Sequence, residues 1–272
     1  MSLWRDLVTE NPMMAELSRA RRRILGNQQT KTQNTILLIL FLALFLAFIM
    51  GTIRFYDLIP PSAVIYLQTG LYAVFVPSIG YGAIAGERER RSWEFLAVAP
   101  LSKLQIVVGK LASSIVVVIG LAALALPPLA ILSLGNPSAV VSDTIRQNLI
   151  SISFGIFVAT LTLYSSSRAQ RSFAALGMTI GILFVLLVGV PAVVGPFLGS
   201  NESAGWALFF LHPFIAIYEV EATVRGTSLI STYWYGLPQA LIYLVLAAGL
   251  VAASVSSLRR SEGARAPQRS EA

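Results

Sequence analysis

The sequence predicts an all-α polytopic membrane protein with six transmembrane helices. Hydrophobic residues make up 56% of the 272 residues and charged residues 12%, whereas about a quarter of the residues of a soluble domain are charged. The apolar residues are gathered in long uninterrupted runs, which is the pattern of helices that cross a bilayer. The chain has no cysteine, which excludes disulfides and thiolate chemistry.

Residues 1–35 form a charged N-terminal arm that we expect to remain cytoplasmic. The arm lacks the apolar core and small-residue cleavage site of a secretory signal peptide. Its apolar residues recur at helical spacing, so it predicts an amphipathic helix lying in the membrane interface with its cations near anionic lipid head groups. Residues that define the two faces of this helix are Met13 and Leu17, and Arg19, Arg22 and Arg23.

Six apolar runs predict a transmembrane domain over 36–258. The first run, 36–53, is uncharged over eighteen residues, and at about 1.5 Å per residue it just crosses a hydrocarbon core about 30 Å thick. The others are 64–85, 104–134, 145–164, 172–198 and 237–258, of which the third is interrupted by Pro127 and Pro128. The segment 206–218 is too short to span and contains Pro213, so it predicts a re-entrant or interfacial stretch within an extracellular hairpin, 199–236.

The distribution of Lys and Arg predicts the topology, because these residues are retained on the cytoplasmic side. With six spans and the N-terminus inside, 17 of the 20 basic residues lie inside, whereas a seventh span at 206–218 leaves only 14 inside. Both termini are therefore expected in the cytoplasm, with 259–272 as a disordered tail. The same bias accounts for the net charge of +7 without a nucleic-acid partner.

A strongly charged stretch separates the second and third predicted spans. Six residues between Gly86 and Glu94 are charged: Glu87, Arg88, Glu89, Arg90, Arg91 and Glu94. Such a cluster cannot lie in lipid. Trp93 and Phe95 follow it and Pro100 ends it, so 86–100 predicts a short amphipathic helix across the cytoplasmic base of the bundle, in which Glu87 and Arg91 can pair at i, i+4.

Four short motifs in this region resemble those of the permease subunits of ABC-2 type transporters. They are Gly86-Glu87-Arg88-Glu89, Arg91-Ser92-Trp93-Glu94 in place of the commoner Gly-Thr-Leu-Glu, Pro100-Leu101-Ser102, and Gly109-Lys110. The resemblance implies that 86–100 is a coupling helix that inserts into a cleft of a separate ATPase subunit. It also implies a dimer with a second permease copy or a paralogue, and transport that is export more often than import.

The chain itself has no nucleotide-binding motif. Gly109-Lys110 is followed by Leu111 and Ala112, and no G-x-x-x-x-G-K-[ST] is present, so no loop of this type can cradle a phosphate. We therefore predict a subunit that is not an enzyme and holds no cofactor, with ATP and Mg bound by the partner. His212 is the only histidine, and without cysteine or a second histidine it does not predict a metal site.

Small residues four apart occur in two spans and predict close helix packing, either within the chain or between protomers. These pairs are Gly82 with Gly86 and Gly177 with Gly181.

Two further functions remain open from the sequence: an ion-coupled secondary transporter or channel without an ATPase, and a non-transporting membrane scaffold. The first normally needs ionisable residues near the middle of the membrane, and the predicted spans have none there. After 206–218, the residues Glu219, Glu221 and Arg225 predict a solvated outer face.

Overall fold

The structure, a computed structural model, describes residues 28–93, 101–135, 141–197, 208, 210–224 and 236–263, and all regular secondary structure within these ranges is helical. The α-helices are α1 (Gln28–Arg54), α2 (Pro61–Gly80), α3 (Ala85–Glu89), α4 (Lys103–Gly135), α5 (Val141–Arg168), α6 (Ser172–Phe184), α7 (Val190–Val194), α8 (Pro213–Val224) and α9 (Leu237–Gly263). A π-helical turn, Val185–Gly189, joins α6 to α7, and a 3₁₀ turn, Gly195–Phe197, follows α7.

Five helices are long and apolar enough to cross a membrane, judged by length and composition over the described residues. They are Pro61–Glu89, Lys103–Leu134, Val141–Arg168, Ser172–Phe197 and Leu237–Arg260. The first predicted span, 36–53, lies within α1, whose apolar stretch Ile39–Arg54 is shorter than the five spans. A sixth span therefore stays a prediction.

Helix α5 forms the centre of the bundle. In the most apolar 18-residue stretch of α5, 78% of the residues are buried, whereas in that of Ser172–Phe197 only 17% are buried. Helix α5 packs against α2, α4, α6, α8 and α9. Three apolar clusters follow one another along the bundle, represented by Ile65, Ile150 and Ile217 at one end, Tyr72, Phe154 and Tyr243 in the middle, and Ile84, Trp93 and Leu258 at the other end. We call this last end, which carries the charged stretch, the charged end.

Two glycines allow the central helices to approach closely. A Cβ atom at Gly155 would lie 3.0 Å from both Tyr72 and Val118, and one at Gly80 would lie 2.7 Å from Ser114 Oγ. Buried hydroxyls in the same helices bond to backbone carbonyls of the preceding turn: Thr162 Oγ1 donates to the Val158 carbonyl at 2.7 Å. This is how polar side chains are satisfied where the surroundings are lipid.

Several element boundaries differ from the sequence prediction. Pro127 and Pro128 do not interrupt the third span, because α4 runs through both prolines. Helix α1 begins at Gln28, eight residues before the predicted start, and α9 continues to Gly263, so that 259–263 is helical rather than part of a disordered tail. The predicted interfacial helix of the N-terminal arm, with Met13, Leu17, Arg19, Arg22 and Arg23, lies outside the described residues.

The predicted hairpin region contains α8, which packs against α2 and α5. Glu219 lies on the inner side of α8 and is only 2% exposed, so the expectation of a solvated face at this residue is wrong. The reason is that α8 lies against α5, where Gln147 Nε2 donates to the Ile217 carbonyl at 3.1 Å, and Glu219 shares the buried side of α8 with Ala216 and Val220.

Candidate functional site

The charged stretch begins where the chain leaves α2 and is fixed there to α5. After Gly80 the chain makes a turn over 81–84, and α3 begins at Ala85. The backbone N–H groups of Ile84 and Ala85 donate to Ser166 Oγ at 2.9 and 3.0 Å. One buried hydroxyl of α5 therefore accepts from two N–H groups at the helix start, which would otherwise lack a partner.

Glu87 connects α3 to α4. Lys110 Nζ donates to Glu87 Oε1 at 2.9 Å, and Ser92 Oγ donates to Glu87 Oε2. The Lys110 and Glu87 side chains are 19% and 32% exposed, so water screens this ion pair only in part. The i, i+4 pairing of Glu87 with Arg91 that the sequence predicted is replaced by this longer-range pair, because α3 ends before Arg91.

Arg91, two residues after the end of α3, has the left-handed conformation, with a φ of 59°. The Ser92 N–H donates to the Glu87 carbonyl at 2.9 Å and the Arg91 N–H donates to the Arg88 carbonyl at 3.1 Å. These two bonds form a Schellman motif, in which Arg91 occupies the position that glycine usually takes. The predicted single helix over 86–100 is thus broken by a turn at 90–92, and its remaining part, 94–100, lies outside the described residues.

Arg88 and Trp93 attach the segment to the bundle on its inner side. Arg88 Nη1 donates to the Ala169 carbonyl at 3.0 Å, and the guanidinium carbon lies 5.6 Å from the centroid of the Trp93 ring. Trp93 is 4% exposed and packs with Ile106 and Leu258. The aromatic anchor that the sequence predicted is therefore embedded among α4, α5 and α9.

Glu89 connects α3 to the start of α6. Its Oε2 atom accepts from Ser172 N at 3.2 Å and from Ser172 Oγ at 2.7 Å. A carboxylate at this place satisfies one of the N–H groups at the helix start and complements the positive end of the α6 dipole. The segment 81–92, which contains α3, and the turn 169–171 are thereby held together at the charged end.

An open cavity of about 780 Å³ lies beside this segment, between the ends of α2, α4 and α6. Its lining is apolar toward the spans and charged toward the base of the bundle. Residues that line it include Ile79, Tyr81, Phe173, Glu89, Arg90 and Lys110.

The predicted docking residues differ in whether they face the bundle or the solvent. Glu87, Arg88 and Trp93 face the bundle, and Arg90 and Arg91 are exposed. Glu89 is exposed and also bonded to Ser172, and Glu94 and Phe95 lie outside the described residues. The sequence did not identify the partners Ser166, Ala169 and Ser172, because only the fold brings the 166–172 turn to the charged stretch.

The predicted glycine pairs have different surroundings. A Cβ atom at Gly82 or Gly86 would lie 3.8 or 3.5 Å from Ser172 Oγ, which is ordinary contact. At Gly177 and Gly181 a Cβ atom would meet nothing within 4 Å among the described residues. Packing of this second pair against another protomer stays a prediction.

Charged side chains on the described spans lie near the helix ends, as at Lys110 and at Asp143, whose Oδ1 atom lies 3.2 Å from Arg146 Nη1. The described residues contain no group of His, Cys, Asp and Glu side chains that could hold a metal ion.

Comparison with known proteins identifies the family. No curated protein matches the chain. The family model described as ABC-2 family transporter protein matches residues 24–262, a range that includes the described helices of the bundle and the charged end. The chain therefore belongs to the ABC-2 family of transporter proteins.

Proposed function

We propose that this protein is the permease subunit of an ABC exporter, that it works as a transmembrane dimer, and that separate ATPase subunits dock on the segment 86–100. The observation that carries the proposal is the attachment of one short charged segment to three helices at once. Glu87 binds Lys110 of α4, Ile84 and Ala85 bind Ser166 of α5, and Glu89 binds Ser172 of α6.

These attachments suit a segment that transmits force. A displacement of α3 by an ATPase would act on α2 directly through the short turn 81–84, and on α4, α5 and α6 through the bonds described above. Packed bundles respond to such a displacement by discrete rigid-body movement, because their interiors do not deform continuously. The exposed Arg90 and Arg91 are available to contact the partner while the inner side chains hold the segment in place.

The proposed topology places both termini and the charged end in the cytoplasm of a cell-membrane protein. It is supported by the positive-inside distribution, in which Arg88, Arg90, Arg91, Lys110, Arg168 and Arg171 share one side. Several helices expose apolar side chains, including Leu44 and Leu46 on α1 and Phe184 on α6, which fits contact with lipid or with a second permease.

Purification of the tagged chain from its native membrane in mild detergent, with mass spectrometry of the copurified subunits, tests the docking role. We expect a stoichiometric ATP-binding-cassette subunit that is lost in the double variant R90E/R91E, because charge reversal on the exposed side disrupts electrostatic complementarity. The matched control is R54E, which reverses an exposed charge at the end of α1 that the six-span topology places on the opposite side of the membrane.

Retention of the ATPase in R90E/R91E at several salt concentrations would remove the docking role from the exposed arginines. A chain that purifies alone and conducts ions or transports without ATP after reconstitution would instead establish the secondary transporter or channel.

A further inference from the structure

Helix α6 leaves regular α geometry at the π-helical turn Val185–Gly189, where the Val190 N–H bonds to the Val185 carbonyl. In a continuous α-helix the carbonyl of Leu187 would accept from the N–H of residue 191. That residue is Pro191, which has no N–H. A backbone carbonyl without its α-helical donor is costly in a membrane, so a donor from outside the helix stabilises it.

His212 supplies this bond from outside the helix. Its Nε2 atom lies 3.1 Å from the Leu187 carbonyl oxygen, and the Ile215 N–H donates to its Nδ1 atom at 3.3 Å. A carbonyl only accepts and an N–H only donates, so both contacts are satisfied by the neutral imidazole with its hydrogen on Nε2. His212 is 7% exposed, and both contacts fit this one tautomer in one ring orientation.

The bond joins two elements that each also pack on α2 and α5. Pro191 and Leu187 belong to the α6–α7 stretch, whereas His212 immediately precedes α8, which packs on α2 and α5. Leu211, which precedes His212, is bonded to a third element, α9: the Tyr243 hydroxyl donates to the Leu211 carbonyl at 3.2 Å. The 211–212 position is thus the point where the π turn, α8 and α9 meet.

We propose that His212 is a positioning residue that clamps the start of α8 to the π turn Val185–Gly189, so that the end of the fifth span remote from the charged end moves together with α8. Pro191 leaves the Leu187 carbonyl without its helical donor, and His212 replaces that donor. This inference does not depend on the proposed ATPase partner, and its test uses the full chain without that partner.

A double-mutant cycle on melting temperature in detergent tests the clamp. His212→Phe retains a ring but removes the donor, and we expect a lower Tm. Pro191→Ala restores a helical N–H for the Leu187 carbonyl, so the drop in Tm caused by H212F is expected to be at least halved in the P191A background. If H212F alone does not fold, recovery of folded protein in H212F/P191A gives the same support.

His212→Gln is the matched conservative variant, because its amide nitrogen can donate to the Leu187 carbonyl; it is expected to keep most of the wild-type Tm. A Tm that H212F leaves unchanged, or a drop that is equal in the wild-type and P191A backgrounds, would overturn the proposal.

Spin labels on single cysteines at Phe184 and Tyr218, both exposed, report the movement itself. Wild type and H212Q are expected to give one narrow distance distribution. In H212F/P191A the carbonyl is satisfied within the helix but the link is gone, so the distribution is expected to broaden. A distribution as narrow as that of the wild type would show that packing alone holds α8, and would contradict the clamp.

Discussion

Lys110 Nζ lies 2.9 Å from Glu87 Oε1 and joins the third span to the short helix that follows the second. The two residues are 23 positions apart in the sequence and belong to the Gly-Glu-Arg-Glu and Gly-Lys motifs. Their contact shows that two motifs of the charged end meet in one ion pair. The lysine therefore contributes to the geometry of the segment on which we propose that the ATPase docks.

Charge reversal at Glu87 is expected to destabilise the segment. Glu87→Lys places two cations together and removes the acceptor of Lys110 and Ser92, which costs about 1–3 kcal/mol. We expect a lower Tm and weaker ATPase copurification with normal membrane insertion. The swap E87K/K110E is expected to recover a large part of both, and failure to recover either would show that the pair does not position the segment.

Arg91 is expected to tolerate glycine better than a β-branched residue. At a φ of 59° a left-handed L-residue costs about 1–2 kcal/mol, which glycine avoids and valine increases. Arg91→Gly should therefore have a Tm equal to or above that of the wild type, and Arg91→Val a lower one. Both variants remove the same exposed charge, so equal Tm values would contradict the left-handed turn.

Gly155 is expected to be sensitive to alanine. The added Cβ would lie 3.0 Å from the Tyr72 ring of α2 and 3.0 Å from Val118 of α4. Such overpacking costs about 1–3 kcal/mol. Gly120→Ala on α4 is the matched control, because nothing lies within 4 Å of its Cβ position. Thermal unfolding of the two variants in the same detergent should separate them; similar Tm values would contradict the close packing of α2, α4 and α5.

The stability of the fold is expected to fall in mild acid because of His212. Burial lowers the pKa of this imidazole below its ordinary value of 6.5, and the bond to the Leu187 carbonyl offsets only part of this effect. A lowered folded-state pKa means that the unfolded chain binds the proton more readily. The stabilising contribution is therefore complete above pH 6.5 and is lost as the pH falls through the lowered pKa.

The measurement is Tm between about pH 7.5 and 5 for wild type and H212Q, since the ordinary histidine pKa falls within this range. The difference in Tm between the two should shrink as the pH decreases, because glutamine does not titrate. A difference that stays constant over the range would contradict a buried neutral His212.

The absence of cysteine allows the topology to be tested with single introduced thiols. A cysteine at Asp57, exposed in the turn between α1 and α2, should react with a membrane-impermeant maleimide added to intact cells. A cysteine at Arg90 should react only after permeabilisation. Reaction of both positions, or of Arg90 alone, in intact cells would contradict six spans with cytoplasmic termini.

The sequence predicted the all-helical fold and located the helices well, because apolar runs and their charged flanks are set by the energetics of the bilayer rather than by the partners of each helix. It could not predict that α4 runs through Pro127 and Pro128 or that Glu219 is buried. Local patterns do not indicate either outcome, because a proline pair usually ends a helix in water and a carboxylate is usually exposed.

What the sequence determined alone is the class of the protein, five of its apolar spans and the position of the charged segment, since each follows from the cost of transferring side chains between water and lipid. What only the tertiary structure decided is which side chains meet. Glu87 pairs with Lys110 rather than Arg91, Glu89 holds Ser172, and His212 replaces the donor that Pro191 lacks. These bonds join residues far apart in the chain, so they exist only once the packing of the helices has fixed their distances.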